Sequence, residues 1–276
     1  MHVFVTGATG YIGSAVVREL IAAGHTVVGL ARSDRSAQLL KEAGAEAYQG
    51  DIDQADRLQQ GVASADGVIH LAFKHDFSDF EGALATDLQV IEAIGAVLEG
   101  SGKPFVTTAH FNGNASENVA LSLAKRGVRT SIIELCPSVH GEGDTGFIPQ
   151  LIEIARTKGV SAYIAEGNNR WPAVHRLDAA HLYRLALEQA EAGSRLDGVG
   201  DEGIAFREIA TIIGKHLDLP VVSIAQEEAQ DHFGFLGALA GLDIPRSSQS
   251  TQKTLGWQPT HPSLLEDLEQ GHYFTS

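Results

Sequence analysis

Three glycines near the N-terminus are spaced for phosphate chemistry. Gly7, Gly10 and Gly13 follow the short apolar run Val3-Phe4-Val5, inside Thr6-Gly7-Ala8-Thr9-Gly10-Tyr11-Ile12-Gly13. In a strand-to-helix turn of this kind the first glycine permits a sharp bend, the second a close backbone approach to a pyrophosphate, and the third close packing of helix on sheet. N–H groups in the first turn of the helix, at the positive end of its dipole, then face the phosphate oxygens. Val16, Val17, Leu20 and Ile21 give the following segment an apolar helical face, which is the context a glycine repeat by itself lacks. These residues predict a dinucleotide cradle.

Two further groups fit the same ligand. A second strand ends in Gly29-Leu30-Ala31-Arg32-Ser33-Asp34. An acidic side chain at that place serves the ribose hydroxyls of NAD, whereas a 2′-phosphate requires a cation and small donors. Arg32 and Ser33 suit the phosphate, because a guanidinium presents a planar fork to its oxygens. NADP(H) is therefore the expected cofactor and NAD(H), with Asp34 on the ribose, the alternative. Gly50-Asp51-Ile52 follows a third strand, where a carboxylate can accept from an adenine amino group or cap the next helix.

These residues need a scaffold, and the pattern of the chain supplies one. Strands are expected at 2–6, 25–30, 45–49, 66–72, 104–108 and 128–135, with helical periodicity between them, which is the alternation of an α/β Rossmann-type doubly wound parallel sheet. After Pro137 the rhythm changes: Gly141, Gly143 and Gly146 mark a loop and the later elements are shorter. The expected organisation is a dinucleotide-binding domain over 1–145 and a smaller C-terminal substrate lobe over 146–276, with 170–190 returning to the first domain. Phe233, Phe235, Leu236, Leu239 and Leu242 read as an apolar helical stripe in the core of that lobe, with a hydrophobic pocket lined by a few of them as the alternative.

Composition narrows the class. The chain has 276 residues, 43% of them hydrophobic, and a formal charge of −15 without a basic block, which argues against a nucleic-acid-binding face. One cysteine, Cys136, fits a reducing compartment. Apolar runs are too short to span a bilayer and the first strand begins at once, so a cytoplasmic protein without a membrane partner is expected. No cysteine or histidine pair has structural-zinc spacing, and no metal site is expected. The oligomeric state is open.

At this point the chain resembles the extended, epimerase/dehydratase-like branch of the short-chain dehydrogenase/reductase superfamily. The resemblance runs over nearly the whole length. It rests on the glycine-rich segment, Gly50-Asp51, Val68-Ile69-His70-Leu71-Ala72, Pro137-Ser138-Val139-His140-Gly141, the segment from Trp171 to Ala180, and Leu255-Gly256-Trp257-Gln258-Pro259. It implies that Thr6, Gly7, Thr9, Gly10, Tyr11, Ile12 and Gly13 form the phosphate cradle, Asp51 and Ile52 the adenine site, and Leu71 and Ala72 the ribose side. Pro137, Ser138 and His140 would lie near the nicotinamide. His175 and Asp178 match a segment that usually braces the two lobes.

The departure from the family is as informative. Its members use a Tyr with a Lys four residues later to move the proton, and a Ser or Thr after the fifth strand to orient the substrate oxygen. Here Tyr11, Tyr48, Tyr163 and Tyr183 are followed four residues on by Ala15, Ile52, Gly167 and Leu187, and Tyr273 lies too near the end. The connection leaving Thr107-Thr108 is also short, about eight residues. Histidine, which titrates near neutrality, is the natural substitute. His140, His75 and His110, with Thr108, all follow strands at their carboxyl ends, where open α/β sheets place ligands. The expected activity is hydride transfer between NADP(H) and a small apolar carbonyl-type molecule. A sugar-nucleotide epimerase or dehydratase is the alternative enzyme, and a non-catalytic NADP(H)-sensing protein the alternative of another class.

Overall fold

A computed structural model describes residues 1–74, 79–109 and 115–275. Strands and helices alternate through the first half: β1 (His2–Thr6), α1 (Tyr11–Ala22), β2 (Thr26–Ala31), α2 (Asp34–Glu42), β3 (Glu46–Gln49), α3 (Ala55–Ala63), β4 (Gly67–His70), α4 (Phe80–Leu98), β5 (Pro104–Thr108), α5 (Ala115–Ala124) and β6 (Arg129–Leu135). The second half carries β7 (Ser138–His140), α6 (Phe147–Lys158), β8 (Ser161–Ile164), β9 (Arg170–His175), α7 (Arg176–Gln189), β10 (Ser194–Gly198), β11 (Asp201–Ala205), α8 (Phe206–Leu217) and β12 (Val221–Ile224). Four short helices end it: α9 (Ala229–Phe233), α10 (Gly237–Ala240), α11 (Gln249–Leu255) and α12 (Leu264–Glu269). Among the described residues, no helix is long and apolar enough to cross a membrane.

The contacts divide the chain into two units. The first holds residues 1–134, 180–196 and 251–257, and the second holds 135–179, 197–250 and 258–276. The chain thus passes between units within α7 and again within β10.

In the first unit the strands order β10-β6-β5-β4-β1-β2-β3, and β1 pairs in parallel with both β2 and β4. Chain order reverses at β1, so the next connections leave on opposite sides and their carboxyl ends open a crevice. Val3, Phe4 and Val5 are fully buried, as the interior position of β1 requires of a strand covered on both faces. One apolar cluster joins Phe4 to Leu58 and Val62 of α3, Val90, Ile91 and Ile94 of α4, and Phe105 of β5. The expected strands match these within a residue or two at each end, apart from the last two residues of 66–72, which continue past β4 as irregular chain.

The second unit contains a three-stranded sheet, β11-β9-β7, and a two-stranded one, β12-β8. Its core centres on Trp171, which meets Phe206 edge-on with centroids 5.0 Å apart, and Phe206 in turn meets Phe233 at 5.9 Å. The expected apolar stripe over 233–242 is corrected here. Gly234 adopts φ +59 and breaks the segment between α9 and α10, so Phe233 and Leu236 are buried while Phe235 is 61% exposed. An apolar period cannot specify one helix across a residue that leaves the helical region.

Candidate functional site

A cleft of about 700 Å³ opens at the carboxyl ends of β1 to β4, all within the first unit. Gly7, Thr9 and Gly10 form one side, and Leu30 comes from the end of β2, Arg32 from the connection after it and Ser36 from the first turn of α2. Gly50, Asp51, Ile52 and Asp53 follow β3, and Leu71, Ala72, Phe73 and Lys74 follow β4. The volume is of the order of a cofactor pocket.

Backbone geometry explains why this cradle demands glycine. Gly7 has φ +67, and a Cβ added there would lie 2.7 Å from both Leu71 C and Ala72 N. A Cβ on Gly13 would run into the Gly7 carbonyl, so the α1 backbone sits on the turn with no side chain between. Gly10 caps α1 and has no side chain with which to accept from the helix's first N–H groups. Backbone amides and a helix dipole are thus left for an anion. A pyrophosphate fits this arrangement.

The charged rim is mixed. Arg32 is exposed and, among the described residues, has no ion-pair partner. Lys74 Nζ lies 2.7 and 2.8 Å from the two Asp53 carboxylate oxygens, an exposed pair worth under about 1 kcal/mol. Asp51 Oδ1 accepts weakly from Asp53 N at 3.4 Å. Its carboxylate therefore also shapes the approach to α3. Ser33 is corrected: it is the N-cap of α2, its hydroxyl accepting from Ser36 N at 3.2 Å, and it does not line the cleft. Ser36, 3.0 Å away through its own hydroxyl, takes that place. The shift follows from helix onset, because the cap faces its own helix while residue N3 can turn to the crevice.

Beneath the cleft, Thr6 and His70 are register partners on β1 and β4. Their side chains therefore emerge together, with Thr6 Oγ1 2.6 Å from His70 Nδ1. On the far side His70 Nε2 is 3.2 Å from Asp87 Oδ1 of α4. All three are buried. Thr6 thus stands behind the cradle rather than in it.

At the end of β5, the Thr108 hydroxyl is 2.6 Å from that of Tyr183. Burial pushes the Tyr183 phenol well above its ordinary range, so it stays protonated. Sequence spacing alone does not join these residues.

The second unit gathers histidines and carboxylates. His140 Nδ1 lies 2.8 Å from Asp267 Oδ2, and the His140 ring is edge-on to His175, centroids 5.3 Å apart. His175 stacks on His261 at 4.8 Å and 8°. Burial, then neighbouring His140 and His261, push His175 down to about 4. Asp178 accepts from Thr260 N at 3.0 Å, His261 N at 3.1 Å and His261 Nδ1 at 2.7 Å. His175, Asp178 and His261 bring their ligating atoms within 4.8 Å of one another. Near-parallel rings and a carboxylate already accepting three N–H bonds make this a brace for the 258–276 segment. Asp144, whose carboxyl burial raises, accepts from Gly146 N at 2.6 Å and from the Tyr273 hydroxyl at 3.0 Å. That pair closes the glycine loop after β7.

The expected acid/base residues fare differently. His140 is fully enclosed, and as a proton donor it is corrected: a group that exchanges a proton with substrate must touch it. His75 and His110 lie outside the described residues. Pro137 and Ser138 belong to the second unit, where Ser138 is buried in β7. Cys136 is buried and its thiol is raised by burial, so it is an apolar filler that donates to the Gly198 carbonyl at 3.2 Å. Lys74, Ser36 and Phe73 were not singled out in the sequence; the rule that ligands meet strand carboxyl ends points to all three.

Comparisons with known proteins agree with this geometry. The sequence model described as the NAD dependent epimerase/dehydratase family matches residues 3–94. An uncharacterized protein of Schizosaccharomyces pombe is 49% identical over 295 aligned positions, covering 99% of this chain and 100% of that one. The aligned span exceeds the 276 residues of this chain, so that relative holds residues within the match that this chain lacks. A sterol-4-alpha-carboxylate 3-dehydrogenase (decarboxylating) of Dictyostelium discoideum is 34% identical over 247 residues, 76% of this chain and 74% of that protein. Among solved structures, a dTDP-glucose 4,6-dehydratase of Streptomyces venezuelae with NAD bound superposes with a TM-score of 0.75 at 19% identity, over 99% of this chain and 96% of that one.

Proposed function

This chain belongs to the NAD-dependent epimerase/dehydratase family of the extended short-chain dehydrogenases/reductases, and from that premise we propose that it is an NADP(H)-dependent oxidoreductase acting on a small apolar carbonyl-type substrate. One observation carries the cofactor preference. At the end of β2, where an acid would serve a ribose, stands Arg32 with no ion-pair partner among the described residues, and the Ser36 hydroxyl lines the same cleft. Both suit a 2′-phosphate.

The roles of this chain's residues follow from the cleft. Gly7, Gly10 and the first turn of α1 hold the pyrophosphate through backbone N–H groups. Asp51 accepts from the adenine amino group, and Leu71 and Ala72 form the ribose side. The nicotinamide cofactor supplies the hydride when bound. Thr108, its rotamer held by Tyr183, orients a substrate oxygen. A relative named for dehydrogenation of a sterol carboxylate supports an apolar substrate over a sugar nucleotide.

The test is a fluorescence titration with NADPH and NADH of the wild-type protein and of Arg32→Glu, followed by NADPH oxidation with mixed small carbonyls. The wild type should favour NADPH by at least tenfold, about 1.4 kcal/mol, and Arg32→Glu should abolish that preference. An unchanged preference removes Arg32 from the phosphate site. Tight binding with no oxidation by any carbonyl replaces the enzyme with the non-catalytic sensor.

A further inference from the structure

The buried Thr6–His70–Asp87 chain has a direction, and its direction follows from proton counting. A hydroxyl oxygen offers one proton and two lone pairs. Thr6 Oγ1 accepts from Leu71 N and from Ala72 N, both at 3.3 Å. The Leu71 amide is shared with the Thr6 carbonyl at 3.2 Å, but at the far end the Asp87 carboxylate can only accept, so the neutral ring donates there and the Thr6 proton goes to His70 Nδ1, 2.6 Å away. That nitrogen is then bare, the ring proton sits on Nε2, and Nε2–H donates to Asp87 Oδ1 at 3.2 Å. The tautomer is inferred from the bonding pattern. Thr6, His70 and Asp87 are 0%, 2% and 5% exposed, so water does not substitute for any link.

The two amides at the end of this chain lie in the cleft wall. Leu71 and Ala72 line the cleft and are the atoms nearest the missing Cβ of Gly7. A shift of a few tenths of an ångström there changes the space left for the turn. We propose that Asp87 and His70 are positioning residues of the dinucleotide cleft: through Thr6 they hold the Leu71 and Ala72 amides against the first glycine. The proposal rests on the dinucleotide reading of the cleft given above. Neither residue touches the ligand. Asp87 stands on α4, at the other end of the chain of bonds from the wall it holds.

The experiment compares wild type, Asp87→Leu, Asp87→Asn and Thr6→Val, by amide hydrogen exchange without ligand and by NADPH titration. Leucine keeps the branched heavy-atom skeleton of aspartate, at larger volume and without an acceptor, and asparagine keeps both the size and a carbonyl for Nε2–H. In Asp87→Leu, protection at Ala72 should fall at least tenfold relative to Val68 and Ile69 of β4, with a smaller fall at Leu71, whose amide also donates to the Thr6 carbonyl at 3.2 Å. The NADPH dissociation constant should rise at least tenfold, with Asp87→Asn within about twofold of wild type. The double variant Asp87→Leu/Thr6→Val should bind no worse than the weaker single one, because links of one chain do not add. Should Asp87→Leu fail to fold, Thr6→Val carries the same two measurements. Unchanged protection at Leu71 and Ala72 overturns the proposal. So does lost protection with an unchanged dissociation constant, which makes the chain a fold brace only. A wild type that binds neither NADPH nor NADH refutes the cofactor reading instead, and the exchange comparison still decides whether the relay holds the wall.

Discussion

The cleft of the first unit and the histidine cluster of the second are built by opposite means. The cleft is made of backbone: two glycines with no room for a Cβ, a helix start capped by a glycine, and four strand ends in register. The cluster is made of side chains drawn from β7, β9, the first turn of α7, and the 258–276 segment. A backbone site is encoded by residues a few positions apart, whereas a side-chain site is encoded by packing between segments distant in the chain, up to 127 positions for His140 and Asp267. The first tolerates almost no added volume; the second tolerates almost no lost partner.

The largest effect that would sharpen this contrast is Gly13→Val. Its side chain meets the Gly7 carbonyl, and NADPH affinity should drop at least a hundredfold, about 3 kcal/mol, in a titration. Retained affinity would mean that the cradle is not what binds. Next comes Asp267→Ala, which strips a partner from a fully buried histidine. Removal of one member of a buried pair costs about 3 kcal/mol, read by urea unfolding, and the NADPH titration should be unmoved. A loss of affinity alongside stability would break the separation between the two regions.

The smallest effect is a pH dependence. His175 titrates at about 4 in the folded chain against an ordinary 6.5, so the unfolded chain takes up the proton first as pH falls. Stability contributed by its neutral form is full above about pH 6.5 and declines down to about pH 4. His175→Asn keeps an acceptor for Leu177 N, now 3.2 Å from Nδ1, and should flatten that acid limb in melting curves. Asp144 and Asp201, whose carboxyls burial raises, act in the opposite sense but are present in both proteins. An equally steep limb in the variant would mean that His175 is not the group responsible.

The same contrast explains what was legible in the sequence. Six strands of the first unit, the glycine turn and the line of Arg32, Asp51, Leu71 and Ala72 could be read because each is local: an apolar run, a breaker, and a residue at a strand end. Ser33 was misplaced by three residues, since only the onset of α2 decides which serine caps and which faces the crevice. His140 looked like a free base because its partner, Asp267, lies 127 positions away. The Tyr183–Thr108 contact, 75 positions apart, is invisible for the same reason, and His70–Asp87, only 17 apart, is hidden because the packing of α4 on β4 decides it. The stripe at 233–242 failed differently, through one glycine that a period cannot weigh.

The interleaving of the two units fixes an order of events during synthesis. The sheet that bears the cleft includes β10, and its unit also includes residues 251–257 with the fully buried Trp257. A ribosome therefore delivers the glycine-rich turn long before the last piece of its supporting unit. Until residues 194–198 emerge, the outer edge of β6 has no neighbour and is open to strand pairing with other chains. A cut at residue 134 would leave the sheet without its edge strand β10 and its unit without residues 180–196 and 251–257.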